Sequence, residues 1–252
     1  SFSDGGRFTR TNIAVDHAIN MIDDGAHIID IGGESTRPGS VPVSEEEECR
    51  RILPVIESIK KINNKINISV DTYKASVAKK AIEAGANIVN DISGLTFDPD
   101  MLPLLSGKDI PVIIMHINGK PKTMQKNPTY RDLVKDITNF LEYQSKVAEK
   151  GGIKSNHIIL DPGIGFGKTF EHNFTLLGRL DEICSLGYPV MIGPSRKAFI
   201  GDALDLPPSN RVEGTLATVV AGIMNGANIV RVRDVKEVNQ VVKITEKIIG
   251  SA

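Results

Sequence analysis

The sequence predicts an α/β fold built as a TIM (β/α)8 barrel. Short apolar runs rich in β-branched residues alternate with amphipathic helical patterns along the chain, as in a parallel sheet with right-handed crossovers. Seven of those runs lead into polar residues of different kinds: Glu34, Asp71, Asn90 with Asp91, His116, Asp161, Lys197 and Arg231. In a parallel barrel the carboxyl ends of all strands open onto one face, so these residues become neighbours round one pocket. That arrangement says enzyme. A doubly wound open sheet is the alternative.

The chain opens with the loop-like Ser3-Asp4-Gly5-Gly6 and passes into a helix from about Asn12 to Asp23. Strands follow at His27–Ile31, Ile66–Val70, Asn87–Ile92, Pro111–His116, His157–Asp161, Tyr188–Ile192 and Asn228–Val232. The eighth is expected upstream of Ser1. Three of the strands start from one repeated pattern, Gly25-Ala26-His27, Gly85-Ala86-Asn87 and Gly226-Ala227-Asn228. Glycine there suits the left-handed residue that closes a helix. A capping box at Ser44 and Glu47 starts a helix that turns Cys49, Ile52, Leu53, Ile56, Ile59 and Ile62 inward. Asp132 to Glu149 is another, with Leu133, Ile137, Phe140, Leu141 and Val147 inward. No linker divides the chain, so residues 1–252 are read as one domain, and 40% hydrophobic residues suffice for a large core.

Thirty basic against 31 acidic residues leave a net charge of -1. This provides no general attraction to nucleic acid or an anionic membrane, so an anionic ligand must be held by local groups. No apolar run reaches the roughly 20 residues of a membrane helix. Cys49 and Cys184 have no metal-type spacing and read as buried thiols of a cytoplasmic protein. The five histidines show no HxH or HExxH spacing, so no metal ligand is named.

The loop Gly32-Gly33-Glu34-Ser35-Thr36-Arg37-Pro38-Gly39 offers close-approaching backbone N–H groups, a hydroxyl and a guanidinium, which suits an anion. Asp71, Asn90 and Asp161 converging at strand ends suit a heterocycle with paired N–H donors, such as the amino-pyrimidinone edge of a pterin or guanine. Each Asp alone would equally suit a helix cap. Gly163 to Thr169 ends in Gly-Lys-Thr, but Pro162 stands where a P-loop needs its first glycine. A loop presenting Phe166 to a flat substrate is the better reading. Lys197, in Ser195-Arg196-Lys197, is a candidate Schiff base or hydrogen-bond donor. Arg231 and Arg233 alternate round Val232 and suit a diphosphate.

Asp30 to Gly39, Val70-Asp71-Thr72, Asn90-Asp91-Ile92, Met115-His116, Lys122 to Gln125, Leu160 to Lys168 and Gly193 to Lys197, in that order, resemble the bacterial dihydropteroate synthases over almost the whole chain. The resemblance implies the joining of 6-hydroxymethyl-7,8-dihydropterin diphosphate to 4-aminobenzoate, with Mg²⁺, in a cytoplasmic homodimer. It assigns Asp71, Asn90, Asp161 and Lys197 to the pterin ring, with Arg231 stacking near it, and takes Lys197, Asp71 and Arg231 as the catalytic set. Thr36 and Arg37 fall at the diphosphate and aminobenzoate end. Phe2, Pro38, Phe166 and Ser195 fall round the aminobenzoate. Arg233 replaces a diphosphate-binding histidine, Ala198 a common serine and Asn118 a common arginine. The alternatives are a corrinoid methyltransferase pterin domain, which generally lacks the Thr-Arg-Pro-Gly and Ser-Arg-Lys features, and a pterin-binding paralogue without turnover.

Overall fold

The computed structural model describes residues 11–251. The elements run α1 (Thr11–Asp23), β1 (Ile28–Gly32), α2 (Glu45–Ile62), β2 (Asn67–Asp71), α3 (Ala75–Glu83), β3 (Ile88–Asp91), α4 (Met101–Leu105) and β4 (Val112–Met115). They continue through α5 (Leu133–Lys150), β5 (Ile158–Asp161), α6 (Phe170–Gly178), α7 (Leu180–Cys184), β6 (Met191–Ile192), α8 (Ala198–Leu204), α9 (Val212–Met224), β7 (Ile229–Val230) and α10 (Val235–Ile249). All described pairings are parallel: β1 to β5 form one sheet in sequence order, β6 pairs with β7, and a Leu160–Val190 bridge joins the two. The alternating order is that of the predicted barrel. The strand expected before Ser1 lies outside the described residues.

Strand alternation separates two cores. Residues facing outward, such as Ile29, Ile31, Ile68, Val70, Val89, Val112 and Leu160, pack against the helices in the main cluster. Residues facing inward, Ile28, Ile88, Ile113, Ile159, Met191 and Ile229, form a separate apolar cluster inside the barrel. Side chains two positions apart on a strand share a face. The next inward layer is therefore Asp30, Asn90, Met115, Asp161, Gly193 and Arg231, with Asp71 two residues beyond Ser69. The polar site rests on a hydrocarbon floor.

Gly25, Gly85 and Gly226 have φ of 104°, 116° and 101°, as the repeated helix stop requires. Two of the repeats have a further function. The Asn87 and Asn228 carboxamides accept N–H bonds from Ile68 and Val190, at 2.8 and 2.9 Å, in place of ladder bonds. β7 is shorter than the predicted Asn228–Val232, although Asn228 N–H still donates to the Val190 carbonyl at 2.9 Å. Pro189, which has no N–H, shortens β6, although its carbonyl still accepts from Leu160.

Two helix predictions need correction. Ser44 caps α2 through Glu47 N–H, but the Glu47 carboxylate is taken by Arg50 and Arg51, so no reciprocal capping bond to Ser44 is recorded. Ile62, on the last turn, is exposed. In α5 the fully buried stripe is Val134, Ile137, Leu141, Gln144, Ser145 and Ala148, while Leu133, Phe140 and Val147 lie at its edge. Cys49 is buried, Cys184 is half-buried, and both are free thiols.

Candidate active site

Five of the predicted residues meet at the carboxyl ends of the strands. Arg231, just past β7, is the connector: its Nε donates to Asp30 Oδ2 at 2.6 Å and its Nη2 to Asp71 Oδ2 at 3.0 Å. Asn90 Nδ2 reaches Asp30 Oδ2 at 3.4 Å. Asp30 is the functional residue that the sequence reading missed, because it lies inside an apolar run and not at its end. A carboxylate two residues after inward-facing Ile28 was the available signal.

The acceptors are only half used. Asp30 Oδ1, Asp71 Oδ1 and Asn90 Oδ1 are buried and have no hydrogen-bond partner among the described residues. A buried acceptor without a partner costs about 1–3 kcal/mol, a cost that a ligand bringing N–H donors to these three would relieve. Asp161 holds Gly163 N–H through Oδ1 at 2.7 Å.

Burial sets the charge states. Desolvation and the nearby Asp30 push the Asp71 carboxyl up to about 7, against the pull of Arg231. Burial also raises Asp161, opposed by the Gly163 N–H. The two carboxylates, Asp30 foremost, hold the Arg231 guanidinium firmly charged despite burial. Lys197 is lowered by burial to about 8, against the pull of Asp161. Its ammonium donates to the Ile164 carbonyl and lies 4.7 Å from the Phe166 ring centroid, a cation–π contact.

The β5–α6 loop that carries Phe166 is tightly pinned. Gly165 N–H donates to Asn173 at 2.6 Å, Gln125 Nε2 to Gly165 carbonyl at 2.7 Å, and Tyr130 hydroxyl to Gly167 carbonyl at 2.7 Å. Gly163 has φ of 70°, and a Cβ there would stand 1.9 Å from the His116 carbonyl oxygen. Lys168 is 2% exposed, with Nζ 3.0 Å from both His116 Nδ1 and Phe166 carbonyl. Thr169 forms a capping box with His172 at the start of α6. The Gly-Lys-Thr run is therefore a buried strut and a helix cap, and it cradles no phosphate. His116, with its ring held neutral at about 2 by burial and Lys168, is structural.

On the opposite wall, Arg196 has φ of 51° and forks onto Asp234 at 2.8 and 2.5 Å. Arg211 donates to the carbonyls of Leu206, Arg196 and Lys197. Ser195 Oγ accepts Arg233 N–H at 3.3 Å. Thr36, Arg37 and Pro38 lie on the β1–α2 loop. Among the described residues no hydrogen bond or ion pair joins their side chains to the Asp30–Asp71–Arg231 cluster. Phe2 lies outside the described residues. Glu34 and Asp91 are not chemical groups of the pocket: Glu34 pairs with Lys74, and Asp91 accepts from Ser93 and Leu95 in a turn.

A sequence model of the family described as pterin binding enzyme matches residues 1–233. The dihydropteroate synthase of Bacillus subtilis (strain 168) is 49% identical over 250 residues, which cover 99% of this chain and 85% of that protein. The crystal structure of the Yersinia pestis dihydropteroate synthase with a sulfonamide drug complex is similar with a TM-score of 0.95 at 43% identity, covering 100% of this chain and 90% of that one. That of the Clostridium difficile enzyme in the presence of pteroic acid has a TM-score of 0.90 at 45% identity, covering 98% and 91%. With likeness of this extent in both sequence and fold, the chain belongs to the family of pterin-binding enzymes, in its dihydropteroate synthase branch.

Proposed function

We propose that the synthase reaction of this chain runs over the Asp30–Asp71–Asn90–Asp161 wall, with Lys197 and Arg231 as its cations. The observation that carries this is the set of three partnerless buried oxygens on Asp30, Asp71 and Asn90. The aminopyrimidinone edge of a dihydropterin supplies N–H donors in one plane, and carboxylates accept such donors in pairs. Lys197 donates to the ring, and Arg231 stacks near it while staying tied to Asp30 and Asp71. Phe166 and Ser195 help enclose the aminobenzoate, as does Pro38. Thr36, Arg37 and Arg233 face the diphosphate.

In the reaction the C–O bond to diphosphate breaks, the same carbon bonds to the amine nitrogen of 4-aminobenzoate, and that nitrogen loses one proton. Charge builds positive on the pterin as the leaving group departs. Carboxylates fixed beforehand beside the ring stabilise that charge without reorganising. A covalent lysine intermediate is not needed, so Lys197 acts by donating a hydrogen bond. The resemblance implies Mg²⁺ at the diphosphate. Among the described residues no group of three His, Cys, Asp or Glu side chains is placed to hold a metal ion, so no step is assigned to the ion.

One core cluster running from Val15 to Ala227 supports a single domain. The homodimer is proposed from the family resemblance. No described helix is long and apolar enough to cross a membrane; the cytoplasmic location is proposed from the family resemblance. The decisive assay mixes the protein with pterin diphosphate, 4-aminobenzoate and Mg²⁺ and follows both products. Equimolar dihydropteroate and diphosphate are expected. Tight pterin binding with neither product formed would overturn the assignment.

A further inference from the structure

Within the β1–α2 loop, residues 35–42 leave the barrel at Glu34 and return at Val43. Its neck is closed by one buried ion network. Glu34 Oε2 accepts Val43 N–H at 3.0 Å. Lys74 Nζ donates to Glu34 Oε2, Val43 carbonyl and Glu48 Oε2, each at 2.7 Å. All three ammonium protons are thus used, across both ends of the loop and the first turns of α2. Tyr73 hydroxyl adds a bond to Glu34 Oε1 at 2.8 Å. The side chains of Lys74, Glu34 and Glu48 are only 12%, 7% and 1% exposed.

Lys74 is itself held rigidly. It is the residue before α3, its N–H is bonded to Thr72 Oγ1 at 3.2 Å, and the following Ala75 N–H is capped by Asp98 at 2.7 Å. Asp71, three residues earlier, ends β2. The loop that carries Thr36 and Arg37 is therefore anchored to the segment that carries Asp71. The tip is tied separately, by Gly39 N–H to Pro121 carbonyl at 3.1 Å.

We propose that Lys74 is a positioning residue for the reaction: its three-way bond fixes the loop neck and so sets the distance from Thr36 and Arg37 to the pterin-holding Asp71. The proposal rests on the placing of Thr36 and Arg37 at the diphosphate and aminobenzoate end. A cleavage step in which one part of the substrate is gripped by a strand end and the leaving part by a loop depends on the spacing between the two grips, and a misplacement of about 1 Å can cost roughly 100-fold in rate.

The test uses the full chain with Lys74→Arg and Glu34→Gln. Arginine keeps the charge, but a planar fork does not reach three converging acceptors. Glutamine keeps an acceptor for Val43 while weakening the ion pair. Hydrogen exchange at residues 35–43 reads the clamp, and steady-state kinetics read its consequence. A ring-only probe, 6-hydroxymethylpterin, reads the pterin wall. Faster exchange confined to 35–43, a fall of roughly 10- to 100-fold in kcat/KM for the pterin diphosphate, and probe affinity within about twofold of the parent support the proposal. A merely structural role would instead lower the melting temperature and the active fraction while leaving kcat per active site and both KM values at those of the parent. That result overturns it, as does unchanged exchange in folded variants. Thr36→Ala and Arg37→Ala separate the two assignments: if both are kinetically silent, the loop reading fails, while the exchange result still decides the clamp.

Discussion

The acid-bearing and the cation-bearing walls of the pocket are built differently. Asp30, Asp71, Asn90 and Asp161 sit on or at the ends of the five continuous strands β1 to β5, where ladder register sets each side chain. Lys197 and Arg231 follow strands of two residues each. Their loops are held by contacts from elsewhere: Arg196 forked onto Asp234, Arg211 on three carbonyls, and Ser195 on the Arg233 backbone. Acceptors are thus placed by the sheet and donors by side chains. Damage to the first wall is expected to act locally, and damage to the second to spread along its braces.

The largest effect is expected at the residue that joins the walls. Arg231→Met leaves Asp30 and Asp71 facing one another without their shared counter-charge; the pair then favours protonation and loses the fixed negative charge that stabilises the cationic ring, and kcat should fall about 1,000-fold. A fall under tenfold would mean that the walls do not depend on one another. Next is Asp71→Asn, which turns a carboxylate acceptor into an amide that also presents donors to the ring. Calorimetry with 6-hydroxymethylpterin should show a loss of about 2 kcal/mol, and unchanged affinity would break the assignment of the acid wall.

The pH profile sharpens the comparison further, because each wall supplies one limb. Asp71 is neutral below about 7 and accepts ring donors fully only once ionised, so kcat/KM should rise through that pH. Lys197 is charged below about 8 and loses its donor power above, so the profile should fall beyond it. A narrow bell is expected, and Lys197→Arg should remove its alkaline limb. An alkaline limb still present in that variant would show that another group sets it. The smallest effect is expected from Arg196→Lys, which keeps the charge but loses the fork onto Asp234. It should lower stability by about 1 kcal/mol and weaken the reaction at Lys197 and Arg233 together. An effect confined to one of them would show that the brace does not link the loops.

Much of the acid wall was legible in sequence because strand register is a local property. A period of two carries an inward residue to the next inward residue, and the strand ends named Asp71, Asn90 and Asp161 directly. Asp30 escaped since only strand ends were considered. The same rule grouped Glu34 and His116 with the pocket, although their side-chain partners Lys74 and Lys168 lie 40 and 52 residues away. The braces of the cation wall were illegible for a related reason. Arg196 and Asp234 are 38 residues apart, and the left-handed backbone at Arg196 is a conformation that few non-glycine residues adopt. Lys197 itself was recognisable only through its surrounding motif.

The hydrocarbon floor of Ile28, Ile88, Ile113, Ile159, Met191 and Ile229 has a practical consequence for redesign. A single-residue insertion within a strand would exchange its inward and outward faces, driving an ionic group among the helices and a greasy one into the mouth. Loop lengths carry no such parity. Variants that recast the loops while leaving the strand phase untouched should therefore keep the heterocycle grip and change only what is brought to meet it.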